Sequence, residues 1–171
     1  MDAQALRDLQ TPLKARYREA PSEALVTLKA EGRIDEANVA CKVDTGKALV
    51  TAGLHPATGG SGLEACSGDM LLEALVACAG VTLKAVATAL EVELRDATIR
   101  AEGELDFRGT LGVDREAPVG FRAIRLSFDL DTDAPQDKID QLLKLTERYC
   151  VVFQSLNRTP ELSVDANRRR P

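Results

Sequence analysis

Residues 67–90 read SGDMLLEALVACAGVTLKAVATAL, and this stretch decides the fold. Leu72, Leu75, Val76, Ala79, Leu83, Val86, Ala87 and Leu90 recur at helical spacing and make one continuous apolar stripe. Ser67 is the expected N-cap, Asp69 puts a carboxylate in the first turn, and no proline or β-branched run intervenes. The remaining faces are also apolar or small around Cys78. The pattern therefore predicts a helix over 69–90 that is covered on several sides and runs through the middle of the fold. Glu73, Thr82, Lys84 and Thr88 interrupt the apolar run, which argues against a membrane span.

Outward from this helix the pattern changes period. Upstream, residues 24–52 read as a meander of strands, with Gly32 as punctuation and Asp44-Thr45-Gly46-Lys47 as a hairpin turn. A loop rich in breakers, His55-Pro56-Ala57-Thr58-Gly59-Gly60, separates the meander from the helix. Downstream, Glu93–Arg108 and Phe121–Leu130 are strand candidates. Asp133-Ala134-Pro135 opens a second helix, Cys150 precedes a shorter one over 151–157, and Glu161–Val164 is a candidate edge strand. Residues 3–18 form a short amphipathic helix pattern with Leu6, Leu9, Leu13 and Tyr17. Strands, central helix, strands, then helices is an α+β order rather than a βαβ one. One domain over 1–171 is expected, with an N-terminal helix within 1–20 and a frayed tail at 167–171.

Composition narrows the function classes. The 171 residues are 44% hydrophobic and 29% charged, a globular balance with enough length for a core without disulfide staples. A net charge of -5 argues against a nucleic-acid surface, since the basic run Arg168-Arg169-Arg170 lacks interleaved aromatics. MDAQALRDLQ has no basic segment followed by an apolar one, so no secretory signal is expected and a cytoplasmic protein is the default. Four cysteines (Cys41, Cys66, Cys78, Cys150) at wide spacings form no zinc pattern, and His55 is the one histidine. Neither a metal nor another cofactor is expected.

The segment from Ser67 to Cys78, continuing Ala79-Gly80-Val81-Thr82-Leu83, resembles the central-helix motif of the OsmC/Ohr family. That motif combines a small-residue turn, an acid, a Leu-rich stretch and a mid-helix cysteine. A second family cysteine follows some seventy residues later, and Cys150 in Glu147-Arg148-Tyr149-Cys150-Val151-Val152 falls there. The resemblance implies antiparallel sheets wrapped around a long buried central helix in an intertwined homodimer. Two departures stand out. Val151 replaces the proline that usually follows the second cysteine, and Asp69 replaces the usual glutamate.

On position alone Cys78 reads as a small buried hydrophobe. The resemblance instead implies a thiol peroxidase that takes organic hydroperoxides and an external dithiol. Cys78 attacks the O–O bond, Cys150 condenses with the resulting sulfenic acid, and the dithiol resets the pair. A thiol is mostly protonated near pH 7, so the attacking sulfur wants a nearby cation. The family carries an arginine in the first strand region, which makes Arg33 with Asp69 the implied activating pair. Nine helical residues are about 13.5 Å of rise and about two and a half turns, so Asp69 and Cys78 lie on opposite faces of one helix. The family's interface-completed site fits that separation. Cys41 reads as structural, while Cys66 could add a third redox thiol. Two competing functions remain: a dimer that only binds a small lipophile, and a cysteine hydrolase using Cys78 with His55.

Overall fold

The computed structural model describes residues 2–5, 8, 11, 19, 31–34, 40–44, 49–112 and 114–168, with the backbone alone for 31–34 and 40–44. Its longest element is α1 (Ser67–Leu90). Cys66, in extended conformation, occupies the N-cap and makes no capping hydrogen bond, so Ser67 is the first helical residue rather than the cap. Asp69 lies in the first turn as expected. At the other end Glu91 takes a left-handed conformation and donates its N–H to the carbonyls of Ala87 and Thr88. Both ends thus lie within two residues of the sequence expectation.

Four strands precede or abut the start of α1: β1 (Glu31–Ile34), β2 (Ala40–Asp44), β3 (Leu49–Gly53) and β4 (Ala65–Cys66), in that spatial order. Gly32 does not punctuate the meander. It sits inside β1, paired with Val43. Asp44 pairs with Leu49, so the expected hairpin connection spans residues 45–48, which lie outside the described set. The β3–β4 pair is parallel, against the all-antiparallel expectation, because β4 returns from the 55–62 loop in the direction of β3. In that loop His55 caps a single 3-10 turn, Pro56–Thr58.

A second sheet pairs β5 (Asp96–Leu105) with β6 (Phe121–Asp131) in antiparallel register. Exposure alternates strictly along β5, the signature of a strand with one face on a core. This strand is shorter than its pattern suggested. Asp106 accepts the N–H of Arg108 at 3.2 Å and turns the chain into the single-turn helix α2 (Phe107–Thr110). The remaining helices are α3 (Gln136–Tyr149) and α4 (Val151–Asn157). Residues 161–164 form no strand: the chain from 159 to 168 is irregular, with Leu162 80% and Val164 95% exposed. Among the described residues they pair with no strand. The helix expected over 3–18 falls mostly outside the described residues, of which 3–5, 8 and 11 are helical.

One face of α1 packs on β5, α3 and α4. Leu75, Ala79, Leu83 and Ala87, one per turn, are fully buried there. Burying a side chain such as Leu75 or Leu83 contributes about 1.5–3 kcal/mol. Other α1 residues are not covered in the protomer: Leu71 is 37% and Val81 74% exposed. A helix wrapped on all sides is therefore not what one protomer presents. By length and composition α1, with an 18-residue window of mean hydropathy 1.8, is long and apolar enough to cross a membrane. The polar interruptions do not exclude that by themselves, contrary to the sequence argument. What distinguishes α1 is its lengthwise packing on a β-sheet and two helices.

Candidate active site

Two thiols meet where α1 crosses the junction between α3 and α4. Cys78 projects from the middle of α1 and is partly buried, packing against the cluster of Leu75, Ala79 and Cys150. Cys150 is the single residue between α3 and α4, with extended backbone and no exposed surface. Its N–H donates to Thr146 O at 2.9 Å and its carbonyl accepts Gln154 N–H at 2.9 Å, so both flanking helices hold it in place. Both thiols are free, and Cys78 packs against Cys150.

Their surroundings bias them in opposite directions. Burial pushes the Cys78 thiol up. The Val152 N–H, the Cys150 thiol, the Val151 N–H and the Thr82 hydroxyl outweigh it, and the net shift is downward, toward thiolate. For Cys150 burial dominates, with the neighbouring Cys78 adding to it. The Phe153 and Val152 N–H groups do not compensate, and that thiol is held up. The single hydroxyl proton of Thr82 goes to Cys78 O at 2.8 Å, so the backbone amides rather than Thr82 carry most of the downward effect on the sulfur.

These donors were missed by reasoning from the sequence, which looked for a cation. Val151 and Val152 open α4, and the first amides of any helix lack intrahelical partners. That Cys150 directly precedes a helix was the signal for them. Val151 supplies an N–H that the family's proline would not have.

The other candidates lie elsewhere. Asp69 is exposed in the first turn of α1, about two and a half turns before Cys78 and on the opposite face of the helix. Arg33 stands in β1 opposite Lys42, and its side chain lies outside the described parts. Cys41 is in β2 opposite Ala52. Cys66, free and half-buried, belongs to the neighbourhood of Gly68, Leu105 and Phe121. His55 accepts the Ala57 N–H on Nδ1 at 3.0 Å and stacks on Phe107 with centroids 4.9 Å apart. Among the described residues no three His, Cys, Asp or Glu side chains gather as a metal site.

Two cavities border the apolar cluster in which the thiols sit. One of about 490 Å³ is lined by Leu71, Leu75, Phe121, Ile124 and Phe153, with Arg122 and Asn157 also on its wall. Another of about 330 Å³ reaches Cys150 between β6, α3 and α4.

The sequence profile of the OsmC-like protein family matches residues 60–165, which span α1, both thiols and the β5–β6 sheet. The chain belongs to the OsmC-like family. No functionally curated protein matches it. Among solved structures, this OsmC-like chain is similar to an OsmC-like protein from Mycoplasma pneumoniae, with TM-score 0.65 and 16% identity over 78% of this chain and 89% of that one. An organic hydroperoxide resistance protein OsmC from Legionella pneumophila gives TM-score 0.60 and 18% identity, covering 77% of this chain and 90% of that one. One from Elizabethkingia anophelis gives 0.62 and 15%, covering 79% and 91%. At these identities the likeness establishes the fold, and the chemistry has to be argued from the OsmC-like site itself.

Proposed function

We propose that this OsmC-like protein is a thiol peroxidase for organic hydroperoxides, active in the cytoplasm as part of an oxidative-stress defence. The observation that carries this reading is the pair of touching thiols with opposite bias, Cys78 toward thiolate and Cys150 toward thiol. The Cys78 thiolate attacks the outer peroxide oxygen; the O–O bond breaks and the alkoxide leaves as an alcohol after taking a proton. Cys78 is then a sulfenic acid. Cys150 attacks that sulfur, water departs, and a Cys78–Cys150 disulfide remains, which an external dithiol reduces. The cavity beside Leu75 and Phe153 has the size and apolar lining to take the organic part of the substrate.

The rest of the reading concerns assembly. A homodimer would cover the exposed flank of α1 that includes Leu71 and Val81, whose burial is worth more than its exposure. Across a two-fold axis Asp69 and Arg33 of one copy can complete the site around Cys78 of the other. Sedimentation should then find a dimer at micromolar concentration; a stable folded monomer would count against this.

The decisive test separates the two cysteines. Cys78→Ser should abolish consumption of cumene hydroperoxide. Cys150→Ser should allow one turnover and leave a dimedone-reactive sulfenic acid on Cys78. If the wild-type protein consumes no more hydroperoxide than the Cys78→Ser variant, the same cavity supports the other reading, a dimer that binds a small lipophile without turning it over.

A further inference from the structure

Phe121 faces inward where the regular alternation of β6 would place Arg122. Residues 96–104 of β5 pair one for one with β6, ending with Gly103 opposite Ile124 and Glu104 opposite Ala123. Leu105 then pairs with Phe121 instead of Arg122, so β6 carries one extra residue at this point. A bulge of this kind re-aims the side chains beyond it. Leu105 belongs to the covered face of β5, and its partner Phe121 shares that face while Arg122 is turned out. With regular pairing the one-residue slip would send the guanidinium inward and the ring into water.

Two glycines receive the ring. A Cβ at Gly103, on the same face of β5 as Leu105, would lie 2.4 Å from one ring carbon of Phe121. A Cβ at Gly68, in the first turn of α1, would lie 3.6 Å from the ring tip and 3.6 Å from the Cys66 sulfur. The ring therefore packs against backbone on β5 and on α1, which cannot swing aside as a side chain could. Gly68, Gly103, Leu72, Leu105 and Cys66 surround its far side, and none of them lines the cavity of about 490 Å³. Phe121 does line it, and so stands as a plate between the cavity and this second apolar region. The exposed residues Gly120, Arg122 and Asn157 mark the side of the cavity that opens to water.

We propose that Phe121 sets the length of the organic group that the cavity takes, so that compact aryl and branched hydroperoxides are favoured over long straight-chain ones. This rests on the peroxidase reading and names the substrate class of that site. A compact group fills the space in front of the ring, against Leu75, Ile124 and Phe153. A straight chain that outgrows this space meets the ring, and its further methylenes turn back into water. Methylenes that stay wet add nothing to binding. Phe121 acts on the reaction only through this limit and takes no part in the chemistry at sulfur.

Straight-chain alcohols bind without reacting, so their affinities report the cavity whether or not the protein turns peroxide over. Calorimetry on the reduced wild-type protein should show affinity rising from 1-butanol and then levelling off before 1-decanol. Phe121→Ala opens the region around Leu72 and Leu105. The rise should then continue to longer chains, with 1-decanol bound about tenfold more tightly than by the wild type and 1-butanol unchanged. Phe121→Leu keeps an apolar side chain of closer volume and serves if the alanine variant does not fold. It lacks the flat ring and should move 1-decanol the same way, by about threefold. A wild-type affinity that climbs without levelling, or the same plateau in a folded variant, overturns the proposal. The kcat/KM ratio of decyl to cumene hydroperoxide should rise in step with the alcohol affinities. If the alcohols behave as expected while neither hydroperoxide is consumed faster than by Cys78→Ser, the peroxidase reading fails and the length limit stands. If hydroperoxides are consumed but the plateau does not move, the limit fails and the peroxidase reading stands.

Discussion

Leu75 and Ala79 of α1 close over Cys150, whereas about two turns further on Leu83 and Ala87 close over Leu142. Ile99 and Phe128 pack against both clusters, so the same sheet face serves each. In the second cluster every partner is aliphatic or aromatic, and exclusion of water does nothing except stabilise. In the first, the same exclusion acts on two sulfurs and would suppress both as nucleophiles. It does so for Cys150. Cys78 escapes because α4 begins beside it and directs two backbone N–H groups at its sulfur. Burial alone therefore does not make a reactive thiol here; donors that arrive with the burial do.

Substitutions can break or sharpen that contrast. The largest expected effect is in the second cluster. Leu142 is fully buried, and Leu142→Ala should lower stability by about 2–5 kcal/mol in urea unfolding while single-turnover oxidation of the folded fraction stays at the wild-type rate. Gly103 comes next. A Cβ there would lie 2.4 Å from a ring carbon of Phe121 and 3.3 Å from Leu72. Gly103→Ala should therefore cost about 1–3 kcal/mol and displace Phe121 into the larger cavity, weakening hydroperoxide binding as a raised KM.

In the first cluster the expected losses of stability are smaller and the changes in reactivity larger. Cys150→Ala removes one donor to Cys78 and a small buried group, for about 1 kcal/mol of stability. The wild-type Cys78 thiol is held below the ordinary range and Cys150 above it, so iodoacetamide should label Cys78 at lower pH than Cys150. In Cys150→Ala the Cys78 profile should move to higher pH. No movement would show that the contact between the thiols does not matter. Val151→Pro gives the smallest effect on the fold. Proline is well accepted at the first position of a helix, and Cys150 before it already has the extended backbone that a following proline requires, so less than about 1 kcal/mol should change. Its N–H is lost nonetheless, and the alkylation profile of Cys78 should again shift upward in pH. An unchanged profile would mean that the Val151 N–H does not hold the thiolate.

The amino-acid sequence by itself determined α1 to within two residues, because an apolar period sustained over six turns leaves no other regular structure open. It also determined β5, β6, α3, α4 and the separation of Cys78 from Cys150, through local periodicity and the proline before α3. Pairing direction was not local information. The parallel β3–β4 contact depends on how the 55–62 loop returns, and Gly32 reads as a break until Val43 is found opposite it. Strand character at 161–164 likewise depends on pairing with a neighbouring edge, and among the described residues the segment pairs with none. The chemistry of the site divides in the same way. Residue type identified the two sulfurs, but their opposite bias was decided only when α4 and α1 packed together. The reason is physical: a backbone N–H has no side-chain signature, and its effect on a sulfur appears only at hydrogen-bonding distance across two elements some seventy residues apart.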